Sequence, residues 1–247
     1  MLAIIGGSGL YSLGEGFELE EQVSRKTPFG ETSADVLQGR WHDIPLAFLP
    51  RHGPDHRVPP HRVNYRANIW ALKQLGVTQI IAINAVGGIT ADAPPLTLVL
   101  PDQIIDYSSG REHTYFDGED GQVSHVDFSW PYSAELRGIL MEAGLQQAQP
   151  LLASATYGST NGPRLETAAE INRLQRDGCN VVGMTGMPEA PLARELEIDY
   201  ACLALVVNWA AGVLDEVISM QEIVTNLERG LHQVRSLLLA AARLTRQ

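Results

Sequence analysis

Ala201-Cys202-Leu203-Ala204-Leu205-Val206-Val207, followed at once by Asn208, is the stretch that decides the fold. Seven apolar residues without alternation read as a strand buried on both faces, the signature of a parallel sheet covered by helices. Asn208 places an amide where that strand emerges, and a polar group there must find a partner in the protein or in a ligand. An amide donates one hydrogen bond and accepts another, whereas a carboxylate only accepts.

Similar runs recur at 2–5, 45–49, 78–84, 151–157, 180–184 and 200–207, and helical patterns lie between several of them. Helices are predicted at 63–75, 133–143 closed by Gly144, 166–177 closed by Gly178, and near 189–196. The last helix opens with Ser219-Met220-Gln221-Glu222 in capping-box spacing and runs to Leu244. Strands alternating with helices predict an α/β fold, and the absence of a long polar linker predicts one domain over residues 1–247. The loops 50–61 and 108–127 are long enough to carry function.

A net charge of -11 without a Lys/Arg cluster argues against nucleic acid as a partner. The longest apolar stretch, 200–214, is shorter than a bilayer span, and no basic segment precedes the first apolar run, so a cytoplasmic protein without a membrane partner is expected. Cys179 and Cys202 lack metal-site or redox spacing and are expected as buried free thiols, with no metal bound.

Four segments could carry chemistry. Gly6-Gly7-Ser8-Gly9-Leu10 follows the first strand, where backbone N–H groups and the Ser8 hydroxyl could meet an anion. It fits equally a tight turn needing positive φ, and Ser12 breaks the dinucleotide fingerprint. Arg51-His52-Gly53 follows another strand and could reach the same anion, although an isolated Arg-His pair reads better as a surface ion-pair residue and a turn histidine. Glu166, after Asn161-Gly162-Pro163-Arg164-Leu165, reads alone as a first-turn helix acid. Val182-Gly183-Met184-Thr185-Gly186-Met187 reads as core packing or as a floor beneath a flat ligand.

In order along the chain, the Gly6–Leu10 motif, Arg51-His52-Gly53, the segment 63–72, Gly162-Pro163-Arg164 and Met184-Thr185-Gly186-Met187-Pro188-Glu189 resemble the trimeric purine nucleoside phosphorylase family, most closely its 5'-methylthioadenosine phosphorylase branch. The resemblance implies a mixed, partly barrel-like sheet flanked by helices, a homotrimer, and phosphorolysis of a purine nucleoside with inorganic phosphate as co-substrate and no cofactor. It makes Ser8, Arg51, His52, Ala85 and Thr185 phosphate-binding, and Leu165, Glu166, Met184 and Asn208 base-binding. Asn208, Ser8 and His52 are the implied catalytic residues, and His125 is implied to reach a neighbouring subunit's site.

Departures from the branch narrow the substrate. Asn208-Trp209-Ala210 replaces its Asp-x-Asp motif, while Glu166 with Asn208 matches the pair that grips 6-oxopurines. Glu166 can accept the N1–H of an oxopurine, whereas adenine N1 offers it only a lone pair. Where inosine phosphorylases place a histidine for the 5'-hydroxyl, this chain offers Met220, with Ile223 and Val224 one turn later and Met184 against the ribose. These side chains form an apolar, methylthio-binding lining, or alternatively the core-facing stripe of the last helix. The expected reaction is phosphorolysis of 5'-methylthioinosine. Methylthioadenosine or inosine/guanosine phosphorolysis are the enzyme alternatives, and a purine or phosphate sensor the alternative of another class.

Overall fold

The structure, a computed structural model, describes residues 1–24, 26–118, 121 and 123–245, so part of the predicted loop 108–127 and the last two residues of the predicted domain lie outside the described residues. In chain order the strands and helices are β1 (Leu2–Gly6), β2 (Phe17–Val23), β3 (Lys26–Thr27), β4 (Gly30–Glu31), β5 (Val36–Trp41), β6 (Ile44–Pro50), α1 (Tyr65–Gln74), β7 (Gln79–Gly88), β8 (Leu98–Val99) and β9 (Gln103–Asp106). They continue with α2 (Ala134–Gln146), β10 (Leu151–Leu152), β11 (Thr156–Ser159), α3 (Ala168–Arg176), β12 (Val181–Gly183), α4 (Gly186–Glu195), β13 (Asp199–Trp209) and α5 (Met220–Leu244).

Among the described residues, eleven strands form one mixed sheet that forks at β7. One branch is an open wing in the order β7-β1-β6-β5-β2. The other closes on itself. Leu151 lies opposite Leu98 and Ser159 opposite Asp106, an offset of 53 residues at both, so β8 and β9 act as one bent strand against β10 and β11. β13 pairs with both β7 and β8, and β12 pairs with both β7 and β11, which completes the circuit. The partly barrel-like sheet is therefore a small closed barrel sharing β7 with an open wing.

Side-chain alternation along β13 serves two cores. Leu203 and Leu205 pack with α2 and α5 through Leu136, Leu140, Val234 and Leu237, while Cys202 and Val206 pack with α1 and α4 through Ile69, Leu72, Ala190 and Leu192. Both cysteines are buried and free. No helix among the described residues is long and apolar enough to cross a membrane.

Three local expectations are corrected. α2 does not stop at Gly144 but runs through it to Gln146, because the glycine gives the Leu151 side chain room against the helix. The run 151–157 is two short strands, β10 and β11, separated where the barrel bends. α3 starts at Ala168 under a Thr167 cap whose reciprocal partner is Glu170, so Glu170 and not Glu166 is the first-turn acid.

Candidate active site

β1, β6, β7 and β13 are mutually parallel and end on one side of the sheet, the position at which open α/β sheets bind ligands. β12 runs antiparallel to β7 and returns Met184 and Thr185 alongside the residues that precede its tip. A cavity of about 520 Å³ opens there. It is lined by Ser8, Arg51, His52, Ala85 and Thr185, by Leu165, Glu166, Met184 and Asn208, and by Met220 and Ile223. Val224 and His125 do not line it. Val224 sits one residue, and hence about 100°, round α5 from Ile223 and is 45% exposed, and His125 is exposed in its loop.

The glycine turn is built by close approach as well as by torsion. A Cβ on Gly7 would stand 2.2 Å from the Ile83 carbonyl oxygen and 3.2 Å from Arg51 Nη1, and Gly9 has φ +80°. The turn thus lies directly against β7 and the guanidinium, with Ser8 at its tip.

Arg51 is not a surface residue. Its Nε and Nη2 donate to Glu189 at 2.7 and 2.6 Å, Nη1 donates to the Ile83 carbonyl at 2.8 Å, and Nη2 also reaches Asn84 Oδ1 at 3.3 Å. Burial works against its charge, but the Glu189 carboxylate outweighs that and holds its proton affinity above the ordinary arginine value. Tyr200 donates to the same carboxylate at 2.9 Å. Asn84 passes the network on by donating to Thr185 Oγ1 at 2.9 Å and to the Tyr157 hydroxyl at 3.3 Å.

His52 is buried, donates Nδ1–H to the Val58 carbonyl at 2.8 Å and stacks on His56 at 4.8 Å between centroids. Burial first, and the Arg51 charge second, push its pKa down to about 4. The ring is therefore neutral at pH 7 and Nε2 is a hydrogen-bond acceptor. That suits a protonated oxygen of a phosphate better than a bare oxyanion.

On the far side of β7, Glu166 accepts from Thr160 Oγ1 at 2.5 Å. Asn208 follows a bulge in the pairing of β13 with β7 and donates one Nδ2 proton to the Trp209 carbonyl at 2.7 Å. One N–H and the side-chain carbonyl of Asn208 remain, so the amide still combines a donor with an acceptor. Arg164 points its guanidinium at Glu170, at 2.7 Å, instead of into the cavity.

The sequence profile of the Phosphorylase superfamily matches residues 1–243. The chain belongs to the phosphorylase superfamily. The phosphorylase is 51% identical to a probable S-methyl-5'-thioinosine phosphorylase of Pseudomonas syringae pv. tomato, over 96% of each chain. It is 45% identical to a 6-oxopurine nucleoside phosphorylase of Pyrococcus furiosus, over 97% of this chain and 91% of that one. Among solved structures, methylthioadenosine phosphorylase from Schistosoma mansoni in complex with adenine superposes with a TM-score of 0.92 at 32% identity, covering 99% of this phosphorylase and 91% of that chain.

Reading the sequence missed the groups behind the cavity wall, Glu189, Tyr200 and Thr160, and the hydrogen bonds that Asn84 makes in the wall itself. Glu189 carries the clearest signal, a carboxylate in the otherwise small and apolar run Gly186-Met187-Pro188-Glu189-Ala190-Pro191-Leu192, where a buried acid requires a cation.

Proposed function

We propose that this phosphorylase cleaves S-methyl-5'-thioinosine with inorganic phosphate, giving hypoxanthine and 5-methylthioribose 1-phosphate. The observation that carries the reading is the joint lining of one cavity by Glu166 and Asn208, which match an oxopurine, and by Met220 and Ile223, which match a thioether. A 5'-hydroxyl against Met220 would lose water without gaining a partner, whereas a buried methylthio group contributes about 1–2 kcal/mol by area.

In this reading phosphate sits at Ser8, His52, Thr185 and the Ala85 backbone, with Arg51 closing the wall behind it. A phosphate oxygen forms the bond to the anomeric carbon as the bond from that carbon to N9 breaks, and the electron pair goes to the base. Negative charge growing on the base, at O6 and N7, meets the free N–H of Asn208, Glu166 accepts from N1–H, and the proton of the hydrogen phosphate ends on the departing base by way of solvent. No metal or organic cofactor takes part. The working form is a cytoplasmic homotrimer, in which His125 belongs to the sugar end of a neighbouring subunit's site. Support for that assembly is the 65% exposure of Met220 and the 45% exposure of Val224, which leave the thioether end open in a single chain.

The test is phosphate-dependent release of free base from methylthioinosine, methylthioadenosine and inosine on one preparation. Methylthioinosine is expected to have the largest kcat/KM. A preference for methylthioadenosine would overturn the base assignment, a preference for inosine the sugar assignment, and no phosphorolysis the reading as an enzyme.

A further inference from the structure

Glu166 sits in the loop between β11 and α3, yet one of its two carboxylate oxygens is held by a side chain from the end of β11. Thr160 Oγ1 donates to Glu166 Oε1 across 2.5 Å, a short hydrogen bond. Its other acceptor within reach, the Gly183 carbonyl, is at 3.5 Å and too far for a strong bond. The backbone of Thr160 is anchored on both sides. Its N–H donates to the Gly183 carbonyl at 2.9 Å, and its carbonyl accepts from Arg111 Nη2 at 3.2 Å. Arg111 also donates to the carbonyls of Asn161, at 3.0 Å, and Met187, so one guanidinium ties the Thr160–Asn161 backbone to the start of α4.

We infer that Thr160 is a specificity-determining positioning residue: its hydroxyl fixes Glu166 as an acceptor and so sets the discrimination between 6-oxo and 6-amino purines. The inference rests on the base-site reading proposed above. A 6-oxopurine presents N1–H and needs an ionised acceptor. A 6-aminopurine presents a lone pair at N1 and binds well only if Glu166 carries a proton. A hydroxyl committed to Oε1 holds the carboxylate in place as an acceptor, which serves N1–H and opposes the lone pair of the amino base. It also leaves Oε2 as the oxygen for the base, in one orientation.

The experiment compares kcat/KM for methylthioinosine and methylthioadenosine in the wild type, Thr160→Val, Thr160→Ser and Glu166→Gln. Valine keeps the shape and removes the hydroxyl; serine keeps the hydroxyl. Thr160→Val is expected to lower the oxo-to-amino ratio by roughly tenfold or more, the scale of a hydrogen bond to a charged group. Thr160→Ser is expected to restore the ratio to near the wild-type value. KM for phosphate is expected to stay unchanged in both. An unaltered ratio in Thr160→Val, or a fall of equal size in the serine variant, overturns the inference. Glu166→Gln separates the two levels. If it leaves the ratio unchanged, the base-site reading fails; if it changes the ratio while Thr160→Val does not, only the role of Thr160 fails.

Discussion

Glu189 takes two N–H donors of Arg51 at 2.6 and 2.7 Å, and neither side chain has any exposed surface. Arg51, buried in the cavity wall, is thus already neutralised by the protein. The Arg51 guanidinium works mainly as a rigid brace between β6, β7 and α4, and oriented neutral donors such as Ser8 and Thr185 line the cavity beside it.

Removing the carboxylate should therefore damage the fold before it damages binding. Glu189→Gln leaves a buried guanidinium without its counter-charge, and a loss of about 3–5 kcal/mol is expected in denaturant unfolding. Tyr200→Phe removes one donor from the same carboxylate and should cost about 1 kcal/mol. Equal stability of Glu189→Gln and wild type would contradict the brace.

Acid should weaken the protein through His52. Its pKa falls from about 6.5 in the unfolded chain to about 4 in the fold, so between these values the unfolded state binds more protons. Stability is then full above pH 6.5, declines as pH drops, and loses up to about 3 kcal/mol by the time pH passes the folded value. His52→Gln should flatten that part of the pH–stability curve relative to wild type. Identical curves would show that the ring is not held neutral.

Asn208→Asp exchanges a group that both donates and accepts for one that accepts only, and also breaks the bond to the Trp209 carbonyl. The methylthioinosine-to-methylthioadenosine ratio of kcat/KM is expected to drop by at least roughly tenfold, the cost of one mismatched buried group. A ratio that stays put would remove Asn208 from base selection.

Met220→His supplies a partner for a 5'-hydroxyl at the mouth of the cavity. Inosine should gain in kcat/KM while methylthioinosine loses, with KM carrying most of both changes because the group is remote from the reacting bond. Unchanged inosine activity would mean that Met220 does not face the sugar.

A Cβ at Gly7 would collide with backbone, not with a movable side chain. Gly7→Ala is expected to raise the KM for phosphate far more than the KM for nucleoside, since the displaced turn carries Ser8. Equal effects on both would separate the turn from phosphate binding.

The sequence disclosed what depends on neighbours along the chain. β1 and the stretch 201–207 of β13 are continuous apolar runs, and Asn208 stands out because it follows seven apolar residues without a break. Phe17–Val23 stayed hidden because Phe-Glu-Leu-Glu-Glu-Gln-Val is mostly solvent-exposed and pairs along one edge only. Arg51 read as a surface residue because its partner lies 138 positions away. Glu166 read as a helix acid because the cap, one residue later at Thr167, gives the same local pattern. Val224 shares its composition with Ile223, and only the rotation of α5 separates them.

β7 belongs to both halves of the forked sheet. On the proposed reading, the turn bearing Ser8 and the residues Arg51 and His52 hang from the wing, whereas Glu166 and Asn208 hang from the barrel. The leaving group is then held from the barrel, whereas the nucleophile spans the fork, with Thr185 reaching it from the barrel and Ala85 from β7 itself. Twisting one half against the other would lengthen or shorten the gap that the sugar carbon crosses, so the stiffness of β7, which carries Ala85 of the phosphate site, bears on rate.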